Sequence, residues 1–297
     1  MRLSEVAPVL QTTVARDAEF SDLGFLFDDL PDKLIFVEAP EFVSAARKAR
    51  GVACVLCTPE LASCFPGVEG LATTAEPKLA FFQLQRFLVE KTDFYGAPVP
   101  SEIDSSARIH PRAWIAPLNV RIGSNTVIEA NVSVGEGSSI GSGVHIRAGA
   151  VLGSEGFQSA RHSGGILQMF HGGGVCVQDE VEIFANAVIA KAVFRQLTSV
   201  GKHSRIGNGA FVSHNVQLGQ CCFVGHNATI NGNTTVGDDS WIGPNATVGN
   251  LLCIGARSRI SLGAVVMQSV PPDSHVTGMP AIEHRRMLRH VVSICTK

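Results

Sequence analysis

The chain has no surplus of positive charge: 24 lysines and arginines stand against 26 aspartates and glutamates in 297 residues, giving a formal net charge of −2 and a pI of about 6.5. No Lys/Arg run occurs either, so the electrostatic footprint of a nucleic-acid partner is missing. Apolar runs of membrane-spanning length are absent, and Met1–Leu10 lacks the charged-then-apolar order of a signal peptide; a cytoplasmic location with no membrane span is the expectation. The eight cysteines fall into no disulfide-framework or zinc-ribbon spacing. Cys54 and Cys57 form a C-x-x-C, which admits a redox reading, but they lie in the apolar run Val52-Ala-Cys-Val-Leu-Cys57. Thiols in such a strand serve as small hydrophobes, and packing is expected there and at Cys221, Cys222 and Cys253.

What the chain has is a period. From Val200 an aliphatic residue recurs at every sixth position through Ile206, Val212, Leu218, Val224, Ile230, Val236, Ile242, Val248, Ile254 and Ile260 to Val266. Upstream it runs through Ile103, Ile109 and Ile115, takes one seven-residue step to Ile122, and continues to Leu152; Val177, Ile183 and Ile189 form a third block. Six is neither a helical period nor the alternation of a lone strand, so the chain turns a corner after each short strand and points one branched side chain inward. Three sides close a triangular coil. The 24 rungs make eight coils of 18 residues, a prism roughly 38 Å long with strands about 4.8 Å apart.

With 297 residues, 45% of them hydrophobic, the chain suits two or three parts. Residues 1–98 read as a small α/β domain, with strands at Lys33–Val37 and Val52–Thr58 and helices at Pro40–Arg50 and Pro77–Lys91. Gly96-Ala-Pro-Val-Pro100 makes a stiff linker into the prism, residues 99–270. Pro271-Pro272 is expected to stop the repeat, leaving 271–297 as a tail with a short basic helix over Ala281–Val292.

A repeat shows its function where it breaks its own rule. The residue after the inward aliphatic is usually Gly, as at Gly201, Gly207 and Gly219, because the corner needs a small or positive-φ residue. Ser213, Asn231 and Ser261 break that rule, and the first two differ by 18, one full coil, so His214 and Gly232 stack at one corner. A corner histidine exposed to solvent is the plain alternative. His226 belongs to another corner and His203 is out of phase, so three histidines do not gather into a metal site within one chain. The other irregularity is the excursion of residues 153–176, from Gly153-Ser-Glu-Gly-Phe157 through Gly172-Gly-Gly174. The five glycines of Gly164–Gly174 give it mobility suited to covering a substrate, with a disordered excursion as the alternative.

Gly153-Ser-Glu-Gly-Phe157, Asp179-Glu-Val-Glu-Ile183 and Ser213-His-Asn-Val-Gln-Leu-Gly219 resemble the corresponding runs of the UDP-3-O-(3-hydroxyacyl)glucosamine N-acyltransferase family, enzymes of lipid A (lipopolysaccharide) synthesis. Leu34-Ile-Phe-Val-Glu-Ala-Pro-Glu-Phe42 resembles that family's uridine-binding domain, so the likeness covers most of the chain. It implies a left-handed parallel β-helix, an exception to the right-handed crossover rule, and a homotrimer with sites between subunits. It makes His214 the general base, the Gly232 N–H the oxyanion donor, and Phe36 and Phe42 the pair that sandwiches the base. It adds Glu155, Phe157, Asn215 and Asn231 as substrate-binding residues and Gly249, Arg285 and Arg286 as donor-binding residues. Departures are plain: Ala39 replaces the usual Asn between the aromatics, Leu251 a second active-site histidine, and Ala190-Lys191 an Asp-Arg. Val276-Thr-Gly-Met-Pro-Ala281 resembles instead the V-x-G-x-P-A tail of acetyl-CoA-dependent hexapeptide enzymes.

The expected chemistry is N-acylation of a nucleotide-linked amino sugar by an acyl-carrier-protein thioester or acyl-CoA, with no metal and no bound cofactor. Neutral imidazole at His214, with an ordinary pKa near 6.5, takes the amine's proton. The rivals are an acetyl- or formyl-type transferase acting on a dTDP- or GDP-amino sugar for surface polysaccharide, a non-catalytic binding or assembly module, and, more distantly, a γ-carbonic-anhydrase-like metalloenzyme.

Overall fold

The computed structural model describes residues 1–278 and 284–295. Its N-terminal part opens with α1 (Leu3–Leu10), followed by β1 (Thr13–Arg16), β2 (Asp22–Leu23), β3 (Lys33–Val37), α2 (Val43–Lys48), β4 (Val52–Cys57), β5 (Gly70–Thr73) and α3 (Pro77–Lys91). The five strands form one sheet in the order β1-β5-β4-β3-β2, parallel except for β1. Leu34, Ile35, Val37 and Cys54 to Cys57 are all buried, the continuous apolar run of a strand covered on both faces. Burial pushes the Cys54 thiol up to about 12 and that of Cys57 to about 11, and both cysteines are free. They are packing residues. The helix expected over Pro40–Arg50 is a 3-10 turn at Pro40–Phe42 followed by the short α2.

Every one of the 24 aliphatic rungs lies in a strand, and the strands stack into three parallel sheets of nine, eight and eight. The fold is a left-handed parallel β-helix. Partners in adjacent coils sit 18 residues apart, as in Phe211↔Thr229 and Thr229↔Thr247. The driving force is apolar burial: Ile189, Val212, Ile230 and Val248 are fully buried, and burying such a side chain contributes roughly 1.5–3 kcal/mol. One correction concerns the end. Val270 bridges in parallel to Ile254, and His275–Val276 pairs with Arg259–Ile260, so stacking continues beyond Pro271-Pro272. Among the described residues the helix of the tail, α4, spans His284–Cys295, past the expected end at Val292; positions 281–283 of the expected helix lie outside the described residues.

Of the two causes expected for the corner glycines, small size holds and positive φ does not. Positive φ occurs three residues after the inward aliphatic, at Asn215, Asn227, Asn233 and Asn245, where asparagine tolerates it. Leu251 holds φ 58 at the equivalent place. The glycine directly after the aliphatic serves close approach between coils: a Cβ on Gly207 would lie 2.7 Å from the His226 nitrogen, and one on Gly201 2.3 Å from the Gly219 carbonyl carbon.

The excursion of residues 153–176 is a folded hairpin, with Ser159–His162 antiparallel to Gly165–Gln168. Its tip is clamped to the start of α3: the Ser163 N–H and hydroxyl donate to the two Glu76 carboxylate oxygens at 3.1 and 2.9 Å. Ala160 and Met169 join Phe81, Phe82 and Leu84 of α3 and Val193 and Phe194 of the prism in one buried cluster. The glycine-rich segment is therefore pinned between the two parts. Buried Gln85 reinforces the joint, donating to the Val193 carbonyl at 2.9 Å and accepting from the Tyr95 hydroxyl at 2.6 Å.

Candidate active site

The 18-residue stacking brings His214 and Gly232 together. A Cβ on Gly232 would fall 2.3 Å from His214 Cε1 and 2.6 Å from Nε2, so only glycine leaves room for this imidazole. The corner is also short of hydrogen bonds. At neighbouring corners the side chain one coil on caps the preceding N–H: Asp238 accepts from Gln220 N–H at 3.0 Å, and the His226 ring from Asn208 N–H at 3.0 Å. Gly232 has no side chain to cap His214. Among the described residues the Gly232 N–H itself has no acceptor, which leaves a donor beside the imidazole.

His214 is not the exposed corner residue of the plain alternative; it is 7% exposed. Against it lies a second histidine that the sequence did not single out. The His171 ring is fully buried, 5.6 Å from that of His214 and edge-on at 89°. Gly156 fits against both rings, since a Cβ there would meet His171 Cε1 at 2.6 Å and His214 Cδ2 at 3.0 Å. Burial holds both imidazoles down to about 4, and for His214 the neighbouring His171 adds to it. The expectation of an ordinary pKa near 6.5 is thereby corrected: out of water, the imidazolium is disfavoured.

Glu155 supports this pair, accepting the His171 N–H at 3.0 Å and pairing with the Lys191 ammonium at 3.2 Å. Phe157 projects beside Gly156 at 92% exposure. Asn231 donates to the Val248 carbonyl at 2.7 Å. Asn215 is already occupied: its side-chain oxygen accepts the Val193 N–H at 2.8 Å and its amide nitrogen donates to Gln196, so it ties the corner to the domain joint. Gly249 stands one coil beyond Asn231, its N–H donating to the Val266 carbonyl at 2.9 Å. Arg285 and Arg286 are exposed residues of α4. Met279, Pro280 and Ala281 of the expected tail motif lie outside the described residues.

Phe36 and Phe42 line one cavity of about 290 Å³ in the N-terminal domain, together with Phe25, Phe27, Glu38 and Lys78. Phe36 is half-buried, its ring 5.0 Å from that of Phe81, whereas Phe42 is 43% exposed. Phe27 also lines a second cavity of about 490 Å³, which reaches Asn215, Asn233 and Leu251 on the prism corner. Phe27 thus lines both cavities, and the second reaches the prism at Asn215 and Asn233, the residues that follow His214 and Gly232 in sequence. No helix among the described residues is long and apolar enough to cross a membrane.

Comparison with known proteins gives the same frame. The bacterial transferase hexapeptide family (six repeats) matches residues 119–154. The UDP-3-O-acylglucosamine N-acyltransferase of Caulobacter sp. (strain K31) is 31% identical over 150 residues, 50% of this chain and 44% of that protein. The match thus spans under half the length of that relative. The enzyme of the same name from Wolinella succinogenes is 29% identical over 312 aligned positions, covering 99% of this chain and 98% of its own. The solved UDP-N-acetylglucosamine acyltransferase of Francisella novicida shares the fold with a TM-score of 0.50 at 24% identity, over 63% of this chain and 72% of that one.

Proposed function

We infer that this relative of the UDP-3-O-acylglucosamine N-acyltransferases is itself an acyltransferase, moving an acyl group from a thioester to the amino group of a nucleotide-linked amino sugar. The observation that carries this reading is the corner at which buried, neutral His214 lies against Gly232 and its unpaired N–H. The amine nitrogen attacks the thioester carbon while His214 takes its proton. The oxyanion of the tetrahedral intermediate accepts the Gly232 N–H, and the C–S bond breaks to release the thiol carrier after protonation. Base catalysis of this kind typically contributes about 10²–10⁴-fold, and loss of one oxyanion donor costs about 10²–10³-fold. The aromatic cavity at Phe36 and Phe42 would take the base, and the cleft across Phe27 would lead the sugar toward the corner. The donor is an acyl-carrier-protein thioester or acyl-CoA, and a homotrimer would complete the site from an adjacent subunit.

A second reading, a shorter acyl group on a dTDP- or GDP-linked sugar, is favoured by Leu251 in the cleft and by Ala39, whose methyl group offers the base no hydrogen bond. Mass spectrometry of reactions pairing several nucleotide amino sugars with acetyl-CoA and acyl-carrier-protein thioesters separates the two. In the productive pair, His214→Ala is expected to lower turnover by about two to four decades with the fold intact, because the residue contributes little to the aliphatic core. Retention of most activity at neutral pH removes His214 from the mechanism.

A further inference from the structure

Hydrogen-bond accounting at the corner leaves two ring nitrogens over. Among the described residues His214 Nδ1 and His171 Nε2 are buried without a partner, and they are the only histidine atoms in that state. An unpaired buried nitrogen costs about 1–3 kcal/mol, so two of them on touching rings call for an explanation. His171 Nδ1 lies 3.0 Å from the Lys191 carbonyl and 3.3 Å from the Gly156 N–H. The carbonyl contact needs a proton on Nδ1 and the Gly156 contact a lone pair there; taking the shorter as the hydrogen bond leaves a lone pair on Nε2. A general base needs the complementary arrangement: His214 with a proton on Nδ1 leaves Nε2 free to accept one, and its Nδ1–H then requires an acceptor.

We propose that His171 is the residue that orients the base, its Nε2 accepting the His214 Nδ1–H either through one bridging water or after a half-turn of the His214 ring that exchanges Nδ1 with the Cδ2 now facing Gly156, so that a line runs from the Lys191 carbonyl through both imidazoles to the substrate amine. The inference rests on the reading of His214 as base. It pairs both leftover atoms, at the expense of the Gly156 N–H, which a protonated His171 Nδ1 cannot accept, and fixes the tautomer that catalysis requires. The surroundings suit it: the Glu155 carboxylate is taken up by Lys191 and by the His171 N–H, so it does not compete for His214. Gly156, by lacking a side chain, lets the rings meet. His171 is thus a positioning residue, in the place that a carboxylate holds in a serine-protease triad.

The test uses the full chain with ¹⁵N-labelled histidine and two variants, His171→Phe, which removes the acceptor, and His171→Gln, which keeps one. In the native protein, nitrogen shifts should show His214 protonated on Nδ1 and His171 protonated on Nδ1. In His171→Phe the His214 tautomer should become mixed, and kcat should fall at least about ten- to a hundredfold, the scale for losing a group that orients a metal-bound histidine, with KM for the nucleotide sugar unchanged. His171→Gln should restore the tautomer and most of the turnover. An Nε2–H tautomer for either histidine in the native protein overturns the proposal. So does a His171→Phe protein with unaltered His214 tautomer and unaltered kcat, or a His171→Gln protein no better than His171→Phe. Because the tautomer is read without turnover, an active His214→Ala protein would defeat the acyltransferase mechanism while leaving the ring pairing to stand or fall on its own spectrum.

Discussion

Substituting Gly232 by alanine adds one methyl group at the most crowded point of the corner. Its Cβ would lie 2.3 Å from His214 Cε1, 2.6 Å from Nε2 and 2.9 Å from Nδ1, whereas carbon atoms in contact prefer about 3.5–4.0 Å. The backbone itself is not at issue, since φ at Gly232 is not positive. The ring must therefore retreat by more than about 1 Å, and His171 and Gly156 block the retreat. Overpacking of this kind costs roughly 1–3 kcal/mol of stability, and displacing a catalytic group by about 1 Å costs about 10²-fold in rate. Gly207→Ala is the control: its Cβ meets the backbone of the next coil, 2.7 Å from the His226 nitrogen and 2.8 Å from the Gly225 carbonyl carbon, at a different corner from the histidine pair. Calorimetry and single-turnover acyl transfer should show both variants melting earlier, with turnover per folded molecule lost only in Gly232→Ala. A Gly232→Ala protein with native turnover, or equal turnover losses in the two variants, refutes the reasoning.

Three further predictions concern recognition and pH. Phe42→Ala should weaken nucleotide-sugar binding by about tenfold or more, as stacking is worth about 1–3 kcal/mol per base, with little change in melting because the ring is exposed; Phe36→Ala should do the same and also destabilise, since it packs on Phe81. Matched UDP- and dTDP-sugars should bind within about tenfold of each other in calorimetric titration, because Ala39 reads neither base, and a preference of about a hundredfold or more would show another group reading it. His171 and His214 are held at about 4, below the 6.5 of an ordinary histidine, so between those values the unfolded chain binds more protons and stability falls as the pH drops from about 6.5 to 4. Asp22, raised by burial to about 6, acts in the opposite sense, so the histidine contribution is read as the difference between native and His171→Phe melting curves; parallel curves would contradict it.

The prism was legible because its constraint is local and repeated. One branched residue per side must face inward, so Val200, Ile206 and Val212 announce three strands without any knowledge of what packs beside them. The N-terminal domain was legible only where a strand is buried on both faces or a helix is long, as in β3, β4 and α3. Two-residue β2 and the half-exposed β1 carry too little pattern to be seen, and their pairing depends on neighbours supplied by the sheet. Pro271-Pro272 misled for a related reason. Proline ends a strand that must donate to a ladder, but here it occupies a corner, and the chain resumes pairing at His275.

The site divides along the same line. His214 and Gly232 could be paired from sequence because both sit on the repeat, where 18 residues mean one coil. His171 could not, because it lies in the excursion, outside the counting rule, and reaches the corner only because the hairpin is folded back by Glu76, Ala160 and Met169. A sequence signal existed in retrospect: Gly156 and Gly172 to Gly174 flank the two ends of the excursion, and glycines there mark close approach rather than mobility. A Cβ on Gly156 would strike both imidazoles, one on Gly172 the Tyr95 ring at 2.6 Å, and one on Gly173 the Phe194 carbonyl oxygen at 2.2 Å. The same residue type therefore carries two opposite meanings, freedom or crowding, and only the structure distinguishes them. Here crowding is the rule, and the histidine corner is among the places where the packing is closest.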